Sequence, residues 1–173
     1  VANVNDPVKV QDCLKKITLS SKHLLGLIND ILDMSKIESG KLSLNMYLLS
    51  LRETMESIVN IVQPQIKMKN QHFDIFIQKI DAEEVYCDSV RLNQILLNLL
   101  SNAVKFTPEE GRINVYLDQE PSPKGEHFVR CHFRVKDTGI GMDRAFQEKI
   151  FETFSRADTS MVQKIEGAGL GMA

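Results

Sequence analysis

The sequence predicts an α+β fold: a two-layer α/β sandwich in which helices cover one face of a mixed sheet, preceded by a long amphipathic helix. Three observations lead there. Apolar residues recur three and four apart from Val8 to Glu38, two later segments carry the same helical period, and two runs of strict alternation flank a turn rich in proline and glycine.

In the first segment Leu14, Ile17, Leu24, Ile28 and Ile31 make one stripe that Leu25 and Leu32 widen, while Lys15, Lys16, Lys22, Asn29 and Asp30 fall mostly off it. A stripe this long needs a partner helix, so pairing with another chain is expected. Ser39-Gly40 ends the helix, Lys41 to Asn45 alternates like a short strand, and a second helix is expected from about Leu51 to Lys69. Phe73 to Ile77 reads as a strand, and Asp88 as the N-cap of a leucine-rich helix from Val90 to Lys105. Gly111 to Leu117 and His127 to Val135 alternate as antiparallel strands around Pro121-Ser122-Pro123-Lys124-Gly125. The expected division is therefore a helical segment, 1–40, and a compact domain, 41–173.

A chain of 173 residues suffices for one ordinary core with an appendage. Its 21 Lys and Arg against 23 Asp and Glu, net −2 with no basic block, argue against a nucleic-acid partner; a nucleotide needs only a local site. Cys13, Cys87 and Cys131 are odd in number and lack metal-ligand spacing, which fits a reducing compartment. That compartment makes a cytoplasmic location the expectation, and since no apolar run approaches the ~20 residues of a membrane span, the segment is expected to make no membrane contact. It opens at Val1 and stops at Gly171-Met172-Ala173, straight after a glycine run, and both ends are read as cuts in a longer protein.

Three features carry chemistry. The helix over Val90 to Lys105 sets Asn98, Asn102 and Lys105 on one face at spacings of four and three, a polar stripe that either faces solvent or meets a ligand. Asp137-Thr138-Gly139-Ile140-Gly141-Met142 follows a strand, so a carboxylate stands at the strand end beside two glycines that let backbone approach a ligand; a plain tight turn has the same pattern. Gly167-Ala168-Gly169-Leu170-Gly171 exposes consecutive N–H groups suited to phosphate oxygens, or serves as a hinge, and no Gly-Lys-Ser/Thr follows to make a Walker loop.

Together and in this order, the three features resemble the nucleotide site of the sensor histidine kinases, within the ATPase superfamily of gyrase B, MutL and the heat-shock ATPases. Asn98 to Pro108 is similar to the family's N box, Asp137 to Met142 to its first glycine box, Phe151-Glu152-Thr153-Phe154 to its F box, and Gly167 to Gly171 to its second glycine box. Leu27 to Lys41 resembles the second helix of the dimerisation domain and its link to the kinase domain. The resemblance implies a Bergerat-type ATP-binding fold. It implies that Asn102 ligates magnesium with Asn98 assisting, that Lys105 contacts phosphate, that Phe106 packs near the base, and that Asp137 accepts a hydrogen bond from the adenine amino group. Gly139 and Gly141 would leave room for ATP, Arg156 would reach its phosphates from the start of a lid over Ser155 to Glu166, and Gly167, Gly169, Leu170 and Gly171 would close over them. Hydrolysing members of the superfamily carry a general-base glutamate where this chain has Asn98; an amide cannot take that proton, so transfer of the γ-phosphoryl group is expected over hydrolysis.

The family's phosphoacceptor is a histidine flanked by an acid and followed by Arg/Lys-x-Pro. None of His23, His72, His127 and His132 sits in that pattern, although His72 has Asp74 two positions on. The acceptor is therefore expected upstream of Val1, and a homodimer, a response-regulator receiver domain and a membrane-anchored parent are the implied partners and setting. The isolated segment is not expected to autophosphorylate, and it should bind ATP more weakly than a domain extended past Ala173. Two readings stand beside this one: a mitochondrial-type serine kinase of the same superfamily, and a non-catalytic dimerisation module with a vestigial pocket.

Overall fold

Asp6 followed by Pro7 is a helix start written in the sequence, because an acidic cap satisfies free N–H groups and proline tolerates the first position. In the computed structural model, which describes residues 6–150, Asp6 Oδ1 accepts the N–H groups of Val8 (3.1 Å) and Lys9 (3.2 Å), and α1 runs Pro7–Glu38. It stops in a left-handed turn at Gly40 (φ +64°), where the Lys41 N–H reaches the Lys36 carbonyl and the Gly40 N–H that of Ile37. The chain divides into two units, Val1–Ser43 and Leu44–Ala173. In the first, Leu14, Ile17, Leu24, Leu25, Ile28, Ile31 and Leu32 are all exposed, so the apolar stripe of α1 is uncovered. No helix among the described residues is long and apolar enough to cross a membrane.

The second unit begins with β1 (Tyr47–Ser50), α2 (Leu51–Met68), β2 (His72–Gln78), β3 (Glu84–Cys87), α3 (Ser89–Phe106), β4 (Arg112–Pro121), β5 (Val129–Asp137) and the short α4 (Arg144–Gln147). Its main sheet has the order β2-β4-β5, parallel between β2 and β4 and antiparallel between β4 and β5, hence mixed as expected. A separate antiparallel pair, β1-β3, sets Tyr47 opposite Cys87 and Ser50 opposite Glu84.

Burial follows the two periods. Along α2, Leu51, Met55, Ile58, Val62 and Ile66 are buried; along α3, Leu96, Leu100, Ala103 and Val104; along β4, Ile113, Val115 and Leu117 alternate inward. These residues form one core, with Phe73, Phe133 and Val135 against it, so α2 and α3 cover one face of the sheet. Ser50 caps α2 by accepting the Glu53 N–H (3.2 Å), and the helix carries Pro64 in its interior, at an exposed position.

The strand expected over 41–45 is not there. Residues 41–46 are irregular, because the Asn45 N–H is donated to the Asp88 carboxylate (2.9 Å) rather than to a neighbouring strand, and pairing starts at Tyr47. The strands expected to end at Leu117 and Val135 run on to Pro121 and Asp137, whereas β3 and α4 carry too few residues to show a period.

Candidate functional site

Asp88 anchors α3 at its start. Its Oδ1 accepts the Arg91 N–H (3.1 Å) and its Oδ2 the Asn45 N–H, and these two bonds, that from Asn45 foremost, hold the carboxyl below the usual carboxylate range. From there Asn98, Asn102 and Lys105 lie on the face opposite Leu96 and Leu100, each half-buried. Among the described residues neither Asn98 nor Asn102 has its carboxamide taken up in a hydrogen bond. The Lys105 ammonium stands 5.2 Å from the centre of the Phe106 ring.

The Asp137 loop closes on the end of this helix. Asp137 Oδ1 accepts the Gly139 N–H (2.8 Å), an Asx turn that points the loop back toward α3 and leaves Oδ2 without a partner among the described residues. Thr138 fastens the loop to β4: its N–H donates to the Arg112 carbonyl (3.0 Å) and its hydroxyl accepts the Arg112 N–H (2.9 Å). The Ile140 N–H then reaches the Phe106 carbonyl (3.3 Å). A side chain at Gly139 would stand 2.7 Å from that carbonyl oxygen, so only glycine lets strand end and helix end meet this closely. Among the described residues nothing comes within 4 Å of a β-carbon at Gly141, whose φ of +69° lies in the left-handed region glycine enters freely.

The structure thus brings Phe106, Asp137 and Gly139 together where α3 ends and β5 gives way to its loop, with Lys105 in the same last turn and Gly141 further along the loop, while Asn102 and Asn98 lie one and two turns back on the same face of α3. Arg156, Gly167, Gly169, Leu170 and Gly171 lie outside the described residues, as do the F box and the lid. A groove of about 350 Å³ between α2 and β2, lined by Met55, Val59, Ile75 and Ile77 with Arg52, Glu56 and Asn60, contains none of the expected site residues.

Two residues at the corner escape the motifs. Lys69 and Gln71, between α2 and β2, donate to backbone carbonyls of the last turn of α3 and just beyond it. The signal available in the sequence was a lysine at a helix end, a common place for a cation to meet carbonyl groups.

Residues 87–173 match the family described as histidine kinase-, DNA gyrase B- and HSP90-like ATPase. The chain is 42% identical over 153 residues, 88% of its length, to the autoinducer 2 sensor kinase/phosphatase LuxQ of Vibrio vulnificus, and covers 18% of that protein. It is 35% identical to the signal transduction histidine-protein kinase BarA of Escherichia coli over 162 residues, covering 94% of this chain and 17% of BarA. It therefore spans about a fifth of the length of the curated relatives it matches. Among solved structures, full-length ShkA in complex with AMPPNP superposes with a TM-score of 0.71 at 29% identity, over 94% of this chain and 32% of ShkA. The histidine kinase ThkA in complex with response regulator protein TrrA shares the fold, with a TM-score of 0.63 at 21% identity, over 88% of this chain and 42% of that one.

Proposed function

The chain belongs to the histidine kinase-, DNA gyrase B- and HSP90-like ATPase family and carries the ATP-binding domain of a sensor histidine kinase, and from that premise we propose that it binds ATP at the α3 corner and transfers the γ-phosphoryl group to a histidine on a segment upstream of Val1. Residues 1–40 then act as the second helix of the dimerisation domain and residues 41–173 as the catalytic domain.

What supports this reading is the seating of the Asp137 loop on the last turn of α3 through Gly139 and Ile140. A nucleotide presents a neutral base at one end and a polyanion at the other. Asp137 at the corner can accept from an adenine amino group, with Phe106 beside the base. Lys105 meets phosphate charge, and Gly139 and Gly141 leave the room. The carboxamide oxygens of Asn98 and Asn102 are hard, neutral donors one helical turn apart, a donor set that suits magnesium sharing its sphere with phosphate and water. Asn98 and Asn102 would hold magnesium there, and the charge neutralisation it would supply is what a transferring phosphoryl group needs. Arg156 and the run Gly167, Gly169, Leu170 and Gly171 close over the phosphates in this scheme.

Asn98 directs the outcome toward transfer, since an amide cannot deprotonate an attacking water. The uncovered stripe of α1 suits a second copy of the chain, and ThkA, solved with its response regulator, suggests a receiver domain as the next phosphoryl acceptor. We place the domain in the cytoplasm, attached to a membrane-anchored parent.

Calorimetric titration of the chain with ATP tests the site. Binding should require magnesium, and Asn102→Ala and Asp137→Ala should each lose about 1–3 kcal/mol, the cost of leaving a desolvated polar partner unpaired. Undiminished binding by both variants refutes the assignment.

A further inference from the structure

A helix leaves its last carbonyl groups without partners, and those of α3 belong to the very turn that carries Lys105 and Phe106. The Lys69 ammonium reaches the carbonyl oxygens of Val104 (2.7 Å), Lys105 (2.9 Å) and Thr107 (3.1 Å). Gln71, 8% exposed, donates Nε2 to Val104 (3.1 Å), Thr107 (2.7 Å) and Pro108 (3.3 Å). All three partners of that nitrogen are carbonyl oxygens, which fixes the amide with Nε2 toward α3 and leaves Oε1 buried without a partner among the described residues. The intervening Phe106 carbonyl takes the Ile140 N–H of the Asp137 loop instead.

The α2–β2 corner is shaped for this reach. Asn70 adopts φ +50°, a left-handed turn that asparagine tolerates, and the Lys69 carbonyl accepts the Glu110 N–H (3.0 Å), so the bonds run both ways between the two corners. A cation at a helix C-terminus also meets the negative end of the helix dipole, and charge-assisted bonds to carbonyls are stronger than neutral ones.

We propose that Lys69, assisted by Gln71, is a positioning residue for the nucleotide site. By holding the carbonyls on either side of Phe106 it fixes the last turn of α3, and the Phe106 carbonyl passes that setting to the Asp137 loop, so the base-binding and phosphate-binding groups keep the separation a nucleotide spans. Lys69 touches no substrate in this scheme. The inference rests on reading the corner as the ATP site.

The test uses the full chain. Lys69→Met keeps the stem and removes the three donors; Lys69→Arg keeps donors and charge. Magnesium-ATP affinity is measured by calorimetry, and amide hydrogen exchange is followed without nucleotide at Ile140 and at the core amides of β4. Lys69→Met should weaken ATP binding about tenfold and speed exchange at Ile140 about tenfold more than in β4, as expected for a local rather than a global opening. Lys69→Arg should recover most of both effects. If Lys69→Met fails to fold, Lys69→Gln, which keeps a shorter donor, carries the same comparison. The proposal is overturned if Lys69→Met binds ATP like the wild type, or if exchange rises equally at Ile140 and in β4. A wild-type chain that binds no ATP would sink the assignment of the site, while the exchange comparison would still decide the clamp.

Discussion

Gly139→Ala is the sharpest perturbation of the corner, because its cost can be worked from distances. A β-carbon at this position would stand 2.7 Å from the Phe106 carbonyl oxygen, 3.0 Å from its carbon, and 2.6 Å from Asp137 Oδ1. The carboxylate can swing away; the carbonyl belongs to a helix end whose neighbouring carbonyls are held by Lys69 and Gln71. An ordinary carbon–oxygen contact is about 3.4 Å, so the loop must retreat by about 0.7 Å. The Ile140–Phe106 bond is already 3.3 Å long, and that retreat takes it past about 3.5 Å, beyond useful hydrogen-bond length. Overpacking of this kind costs roughly 1–3 kcal/mol, which in a domain of this size lowers Tm by roughly 3–10 °C. Magnesium-ATP affinity should fall at least about tenfold, since Asp137 moves with the loop. Gly141→Ala separates strain from crowding: it meets no atom of the described residues within 4 Å but sits at φ +69°, so its loss of stability, about 1–2 kcal/mol, is backbone strain alone. Thermal melts and calorimetry on both variants check this. A Gly139→Ala chain that melts and binds like the wild type would refute the close-approach argument.

Pro64 sits inside α2 at an exposed position, where proline removes one helical hydrogen bond and crowds the preceding turn. Pro64→Ala should therefore stabilise the domain, by up to about 3 kcal/mol in denaturant titration, and a loss of stability would show that the proline ring does something the helix needs. Asp88 has its folded pKa depressed by the Asn45 and Arg91 N–H groups, so its contribution to stability is full above the ordinary carboxylate value of about 3.9 and is lost as pH falls through the folded value. Asp88→Asn, which can still cap α3, should show a flatter loss of stability below about pH 4 and a lower plateau at neutral pH; parallel curves for the two proteins would exclude Asp88 as a source of acid sensitivity.

The elements legible in the sequence are those whose cause is local. α3 announces itself through Asp88 and a leucine period, α1 through its apolar stripe, and β4 through the alternation of Ile113, Val115 and Leu117. The misplaced strand shows the limit. Leu42 and Leu44 alternate as a strand should, but what decides the segment is a bond from Asn45 to a carboxylate 43 positions further on. The site divides in the same way. Asn98, Asn102, Lys105 and Asp137, the proposed nucleotide-binding residues, can be picked out because their side chains would carry the chemistry, and the helical spacing of the first three is realised on α3. Lys69 and Gln71 were not, because their partners are backbone carbonyls, which look alike at every residue and acquire identity only when the fold brings two corners together.

That contrast has a consequence for how the corner works. The final turns of α3 serve two ends: the side chains of Asn98, Asn102 and Lys105 stay half-exposed, whereas the carbonyls of Val104, Lys105, Phe106 and Thr107 are consumed by anchors. If the amides face the nucleotide as proposed, removing one would take away binding and leave the anchors intact, so stability should hold while affinity falls. Removing an anchor frees carbonyls in the same turn and loosens the loop through Phe106, so both should fall together. The two classes of residue share a few ångströms of helix, yet their variants should separate cleanly on a plot of affinity against stability, because one class spends its bonds on the ligand and the other on the frame that holds it.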